Sequence, residues 1–472
     1  MTVDDMRHDT LPPADLVLAG HIAPDQARQY VTVPFVVPPG ITQMHLRYDY
    51  SDRIASDPDL DNGNTLDIGL FDERGTVAGG PGFRGWSGSA RSAFTIGRDW
   101  STPPYRPGPI RPGIWSVLLG PYKVAPASLG YRIEVWFDPG LTARPSPPPA
   151  PVWRRPDIAP PAEAEWVRAD LHSHTVFSDG DSWPTETMAA AWAAGLDVIG
   201  ITDHNSAISA AEYAGDLTGG PLLVPGVETT TYGGHWNSWA APGTARHRWY
   251  DFREPTSPAT EAAMAAAIRD GAFVGINHPK PLGPPWSYPD VTSFHAVEVW
   301  NGDWDKLNTF ALAYWEALLR QGRRVVAIGG SDTHRLHTPH RPRLGIPDAR
   351  FGIPTMFIRT GDGPPTVAAV LAALHRGDCF VSESPTGPEL YVAHAPGATD
   401  TPLTVRVVGA RGDTLSVIGP DGTVFAAAVS TDDWSVEVPF GATTPWLRAQ
   451  VTDRVGRVRV LSNAVWRDRH AG

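Results

Sequence analysis

A single cysteine, Cys379, in 472 residues leaves no internal disulfide framework and fits a reducing compartment. No apolar run approaches the roughly 20 residues that a membrane-spanning helix needs. The opening Met1-Thr-Val-Asp-Asp-Met-Arg7 carries acids where a signal peptide carries bases, and no apolar segment follows it. A cytoplasmic protein with no membrane partner is the expectation. A basic stripe is also lacking. With 39 Lys+Arg against 51 Asp+Glu the net charge is -12, which argues against a nucleic-acid surface. Nor is there a serine-nucleophile elbow: Gly85-Trp-Ser-Gly-Ser89 lacks the spacing and the strand-to-helix context.

What is present divides the chain. Its length suggests two or three domains, and its 48 prolines and 47 glycines imply many loops and a stiff connector. Residues 14–140 hold alternating apolar and polar runs separated by turns such as Pro38-Pro-Gly40, the pattern of a β-sandwich-like domain. Residues 141–165, with Arg144-Pro-Ser-Pro-Pro-Pro-Ala-Pro151, favour polyproline II and form a linker. In residues 166–385 the rhythm becomes strand, loop, helix, with strands ending near Leu171, Ile201, Val227, Ile276, Trp300, Ile328 and Ile358. Seven such repeats suggest a parallel sheet closed into a barrel. Residues 386–470 return to short alternating strands and a second sandwich-like domain. The fold class is multidomain α/β plus all-β.

The chemistry-bearing residues gather at the strand ends of the central region. The first strand ends in His172-Ser-His174, with Asp179 in the following loop. Residues i and i+2 of an extended segment point to one side, so both imidazoles can reach one ion. Alone, such a pair is as readily a solvated surface feature. Later strands end in Thr202-Asp203-His204, in Gly226-Val-Glu228 followed by His235 and Asn237, in Asn277-His278-Pro-Lys280, in Glu298 to Asn301, and in Ser331-Asp332-Thr-His334. Each has a plain structural alternative: a helix cap, a solvated lysine, a turn asparagine. Their convergence on consecutive strand ends favours a metal site. His247, His295, His337 and His340 have no strand-end context and are set aside.

This order of motifs resembles the PHP (polymerase and histidinol phosphatase) family of metal-dependent hydrolases. The Gly-His-x-Asn at Gly234 to Asn237 and the flanking β domains look like its CehA/McbA branch. The resemblance covers the central domain and implies a distorted (β/α)7 barrel with metal ions at the strand C-termini. By that resemblance His172, His174, Glu228 and Asp332 would hold one ion. Glu228 would bridge to a second near His278, and Asp179, His204 and His334 would hold a third. The sequence departs from the family after strand five, where Glu298 or Asn301 stands in place of a further His or Cys.

Two or three divalent ions, Mn, Zn or Fe, would lower the pKa of a shared water and polarise a phosphoryl or carbonyl oxygen. The expectation is hydrolysis of a small-molecule ester, a phosphoester first, with a metal-bridging hydroxide as nucleophile. Asp203 and His235 are expected to orient ligands and move protons, and Lys280 and Asn237 to bind substrate. A carboxylic or carbamic ester at the same site is the second reading, and a binding scaffold with a structural metal the third. Nothing in the sequence fixes the oligomeric state.

Overall fold

The computed structural model describes residues 11–54, 62–77, 80–149, 152–206, 219–240, 250–281, 284–338, 349–394 and 401–467. His247 and His340 lie outside them.

The first eight strands are β1 (Leu16–Ile22), β2 (Val31–Val37), β3 (Gln43–Tyr50), β4 (Thr65–Phe71), β5 (Phe83–Gly88), β6 (Ala93–Gly97), β7 (Gly113–Lys123) and β8 (Leu129–Phe137). They form two antiparallel sheets, ordered β1-β8-β3-β6 and β2-β7-β4-β5. Alternation sets the inner face: in β3, Met44, Leu46, Tyr48 and Tyr50 are buried while Asp49 is exposed. One core, built around residues such as Leu46, Ile68, Trp115 and Ile133, draws on both sheets.

The proline-rich segment that follows is pinned rather than free. Arg155 bonds Asp197 at 2.6 Å and lies over the Trp192 ring, and Ala162 N donates to Glu389 Oε2.

The central region contains β9 (Trp166–Asp170), α1 (Pro184–Ala193), β10 (Val198–Ile201), β11 (Leu222–Thr231), β12 (Gly234–Trp239), α2 (Ser257–Arg269), β13 (Phe273–Ile276), β14 (Ala296–Asn301), α3 (Asn308–Arg320), β15 (Val326–Gly330), β16 (Thr355–Arg359), α4 (Val367–Arg376) and β17 (Cys379–Ser382). Local chemistry starts the helices. Pro184 opens α1, and Thr256 and Thr366 cap α2 and α4 through their side-chain oxygens, each cap worth about 1 kcal/mol. Helix α4 buries Val370, Leu371, Ala373 and Leu374, and Gly377 ends it at φ 69°. Trp236, Trp239, Trp300 and Trp315 are fully buried in the shared core; truncating one would cost roughly 3–5 kcal/mol.

The closed parallel barrel expected from the sequence is not what forms. The hydrogen-bonded path runs β15-β14-β13-β12-β11-β10-β9-β16-β17 and continues into the C-terminal strands. Only β9-β10, β10-β11, β13-β14 and β14-β15 pair in parallel along it. Strand β12 is inserted antiparallel between β11 and β13, and β16 runs antiparallel to β9. Two facts explain the opening. The far edge of β16 is occupied by β17, and Ala327 of β15, on the edge away from β14, is satisfied by a side chain instead of a strand. Asn463 accepts from Ala327 N at 2.6 Å and donates to the carbonyls of Ala327 and Cys379. The sheet still curls. At its mouth an isolated parallel bridge joins Ser173 to Thr333, with His174 N donating to Thr333 O and Asp332 N to His172 O.

The remaining strands are β18 (Glu389–Ala393), β19 (Leu403–Val408), β20 (Thr414–Gly419), β21 (Gly422–Ala428), β22 (Asp433–Val438), β23 (Trp446–Thr452), β24 (Val458–Ser462) and β25 (Val465–Trp466). Sheet β18-β19-β22 packs against β20, β21, β23 and β24 around a third core. Strand β24 pairs with β17, so this region shares a sheet with the central one.

Candidate metal centre

The bridge at the mouth brings the ends of β9 and β15 together, and with them two sets of side chains. A buried carboxylate fixes the joint. Asp170, the last residue of β9, accepts from Ser331 N and Gly352 N at 3.0 Å each. Trp239 Nε1 holds Leu171 O at 2.9 Å. Gly330 is required here, since a Cβ would meet His172 Cβ at 2.4 Å. Three site residues sit in left-handed backbone, Asn205 (φ 43°), His278 (φ 29°) and Asp332 (φ 57°), a strain that persists only where surroundings impose it.

His172 Nε2 lies 3.3 Å from Glu228 Oε2 and 3.4 Å from Asp332 Oδ1. His174 Nε2 lies 3.3 Å and 3.0 Å from the same two oxygens. All four atoms are buried and lack a hydrogen-bond partner. For a tetrahedral ion with bonds of about 2.0–2.1 Å, ligand atoms stand about 3.3 Å apart. The donors are therefore spaced to hold a divalent cation.

A second group adjoins the first. Asp179 Oδ1, also buried without a hydrogen bond, lies 3.3 Å from His334 Nε2 and 3.6 Å from His204 Nε2. With His174, these three can share an ion. His204, His235 and Glu228 make a third such group. Glu228 is the hub of all this. Its Oε2 faces His172, His174 and His204; its Oε1 accepts from Asn277 Nδ2 at 2.7 Å and faces His235 Nδ1 at 3.1 Å and His278 Nε2 at 3.5 Å.

Charge and burial oppose each other throughout. Burial would raise the Glu228 carboxyl, but the imidazoles of His204, His172 and His235 hold it well below its usual range. Burial would likewise raise Asp332, and His172 and His334 hold it down. Burial alone would lower His334, yet Asp179 and Asp332 lift it to about 10. Carboxylates and imidazoles at this density are mutually stabilised by protons or by cations.

Behind these atoms stands an ordering layer. His172 Nδ1 is bonded at 2.9 Å to Glu298 Oε1, leaving Nε2 for the cluster. Glu298 therefore backs a ligand at the position where the sequence departs from the family pattern. Its Oε2 accepts from His278 N and Asn301 Nδ2. Asp203 accepts from Thr175 N, Thr175 Oγ1 and Ser178 Oγ at 2.7 Å each, pinning the loop that carries Asp179. Asn237 pairs across the strands with Glu228, and both of its amide atoms are buried without a partner.

Lys280 is placed otherwise than a substrate-binding group requires. Its Nζ donates to Asn301 O, Asn301 Oδ1 and Asn308 Oδ1 at 3.0–3.2 Å, and the residue is 4 % exposed. Three acceptors match the three N–H bonds of the charged form, so no donor is left for an incoming anion. Burial pushes its ammonium down to about 7, against the pull of Glu298.

Sequence reasoning quoted Asn277 within its strand end without giving it a role, and passed over Asp170 and Asn308; Asp170 gives no local signal. Of the histidines set aside, His337 pairs with Glu186 at 3.2 Å and His295 stacks on Phe273, neither in the cluster.

No family model and no curated protein matches the chain. Among solved structures, it is similar to a two-domain protein containing a predicted PHP-like metal-dependent phosphoesterase from Bacteroides vulgatus, at 19% identity and a TM-score of 0.39 over 67% of this chain and 100% of that one. A β-glucosidase of Streptomyces venezuelae, DesR, matches at 10% identity and a TM-score of 0.16 over 97% of this chain and 47% of that one. At such TM-scores the function has to be read from the site itself.

Proposed function

We propose that the protein is a metal-dependent hydrolase of the PHP type acting on an ester, a phosphoester first. The observation that carries this is the convergence of four buried, unbonded donor atoms, from His172, His174, Glu228 and Asp332, at tetrahedral spacing. These would hold one ion, and Asp179, His204 and His334 another. When bound, such ions activate water and polarise the ester oxygen. The chain does the rest. Glu298 fixes the His172 ring, Asp203 fixes the Asp179 loop, and Asn237 offers an unpaired amide to a substrate oxygen. Burial lowers the pKa of His235 against the pull of Glu228, and its imidazole, beside Glu228 Oε1, is the group we assign to moving a proton. The order of the motifs supports phosphate. The caged Lys280 supports the second reading, a carboxylic or carbamic ester, because its Nζ is bonded to Asn301 and Asn308 and leaves no donor for a phosphoryl oxygen.

The test is a turnover screen of the full chain on p-nitrophenyl phosphate, bis-p-nitrophenyl phosphate and p-nitrophenyl acetate, with Mn, Zn or Fe. Turnover should vanish on chelation and return with metal. Tight metal binding with no turnover on any ester would leave the scaffold reading standing.

A further inference from the structure

The hairpin β11–β12 carries Glu228, Thr230 and His235, and its turn does not end in solvent. Tyr232, at the turn, is 6 % exposed and donates its hydroxyl to Asp67 Oδ2 at 2.8 Å. Asp67 belongs to β4 of the N-terminal sandwich, where its cross-strand partner is Gly120 of β7. A Cβ on Gly120 would stand 2.2 Å from the Tyr232 hydroxyl and 2.8 Å from the Tyr30 ring. The missing side chain thus makes a notch in the N-terminal sheet that the tyrosine fills. Tyr30 stacks on Tyr232 at 4.9 Å, with planes 2° apart, and Tyr122 lies 5.2 Å away. From the other side Tyr288 donates to or accepts from Thr231 Oγ1, and Ser287 N donates to Gly233 O. The turn is clamped on both sides.

We propose that the N-terminal sandwich is a working part of the metal centre, with Asp67 acting through Tyr232 as a positioning residue for the hairpin that presents Glu228 and His235. Asp67 is electrically in touch with the cluster as well. Burial raises its carboxyl to about 7, the Tyr232 bond opposes that, and the charges of Asp179 and His204 act on it in opposite directions. A rigid turn matters because Glu228 faces imidazoles on both of its oxygens, so a tilt of the hairpin would open several ligand distances together.

The inference rests on the metal reading for its purpose, and the experiment separates the two. Tyr232→Phe keeps the ring stack and loses the hydroxyl; Asp67→Ala removes the acceptor. Arg253→Ala breaks a different contact between the same regions, Arg253 Nη1 to Thr76 O at 3.1 Å. In the full chain, zinc or manganese affinity is measured by calorimetry, and hydrogen exchange is followed over residues 222–239. Each latch variant should lose about 10-fold to 100-fold in metal affinity. The double variant should be no worse than either single one, and exchange in the hairpin should quicken. Arg253→Ala should leave both readouts as in the parent. Unchanged affinity and exchange in the latch variants, or equal losses in Arg253→Ala, would overturn the proposal. A parent protein that binds no metal refutes the metal reading instead, and hairpin exchange in the latch variants then still decides whether Asp67 holds the turn.

Discussion

The cluster around Glu228 and the cage around Lys280 meet at Asn301, which touches Asp332 and Glu298 on one side and the ammonium on the other. Both come from strand-end polar residues, and both are buried. They differ in completion. In the cage every donor of Lys280 has an acceptor, and Asn308 bonds Asn301 N, Asn301 O, Asp303 O and Trp304 O as well. In the cluster His172 Nε2, His174 Nε2, Asp179 Oδ1, Glu228 Oε2 and Asp332 Oδ1 have no hydrogen-bond partner. A buried polar atom left unpaired costs about 1–3 kcal/mol, so a set of them facing one point marks where a ligand belongs. A satisfied set marks structure.

The largest test of that contrast removes a member from each side. His172→Ala or Asp332→Ala should strip the metal and bring turnover to background, with circular dichroism unchanged; elemental analysis checks it. Either variant retaining its full metal content would erase the distinction. Lys280→Ala should do the opposite, keeping metal but destabilising the fold by about 3 kcal/mol, because Asn301 and Asn308 lose a buried charge-assisted partner. Urea denaturation measures it. Its effect on kcat/KM should be the same for phosphate and carboxylate esters. A selective loss on phosphate would return Lys280 to the substrate.

A smaller effect sharpens the comparison through pH. In metal-free protein His334 is raised to about 10 by Asp179 and Asp332. A raised imidazole contributes stability that is full below its unfolded value of roughly 6.5 and is lost as pH climbs through the folded value. The chelated protein should therefore lose thermal stability between about pH 6.5 and 10. A bound cation takes over the task of the protons, so the loaded protein should show a shallower fall. Parallel melting curves with and without chelator would contradict the assignment.

Much of this was legible in the chain, for a physical reason. Apolar runs ending in His, Asp or Glu put the ligand candidates on strand ends, and the ligand atoms of His172, His174, Glu228 and Asp332 lie within 4.8 Å of one another. The closed barrel was not legible correctly, because alternation of strand and helix says nothing about strand direction. It missed that β12, carrying His235, runs antiparallel, and that Asn463, well over a hundred residues from Ala327, occupies the edge of β15. Side-chain direction was also out of reach. Lys280 follows His278 by two residues, yet its stem runs into the Asn308 cage. The Asp67–Tyr232 contact joins positions in different domains, and no local pattern announces it.

The gentlest perturbation lies at Asp203, which is complete like the cage but serves the cluster. Its Oδ1 accepts from Thr175 N and Ser178 Oγ, and its Oδ2 from Thr175 Oγ1. Asp203→Asn can keep the first oxygen with both of its donors and put an amide where the second oxygen was. The Thr175 hydroxyl can turn from donor to acceptor, so the loop should stay folded at a cost of about 1 kcal/mol. What changes is the charge beside the loop that carries Asp179, and with it the hold on the ion proposed for Asp179, His204 and His334. In a metal titration, binding at Asp179, His204 and His334 should weaken by about 10-fold while binding at His172, His174, Glu228 and Asp332 stays put. If both events shift together, Asp203 supports the whole mouth of the sheet, and the division into two separately held groups is wrong.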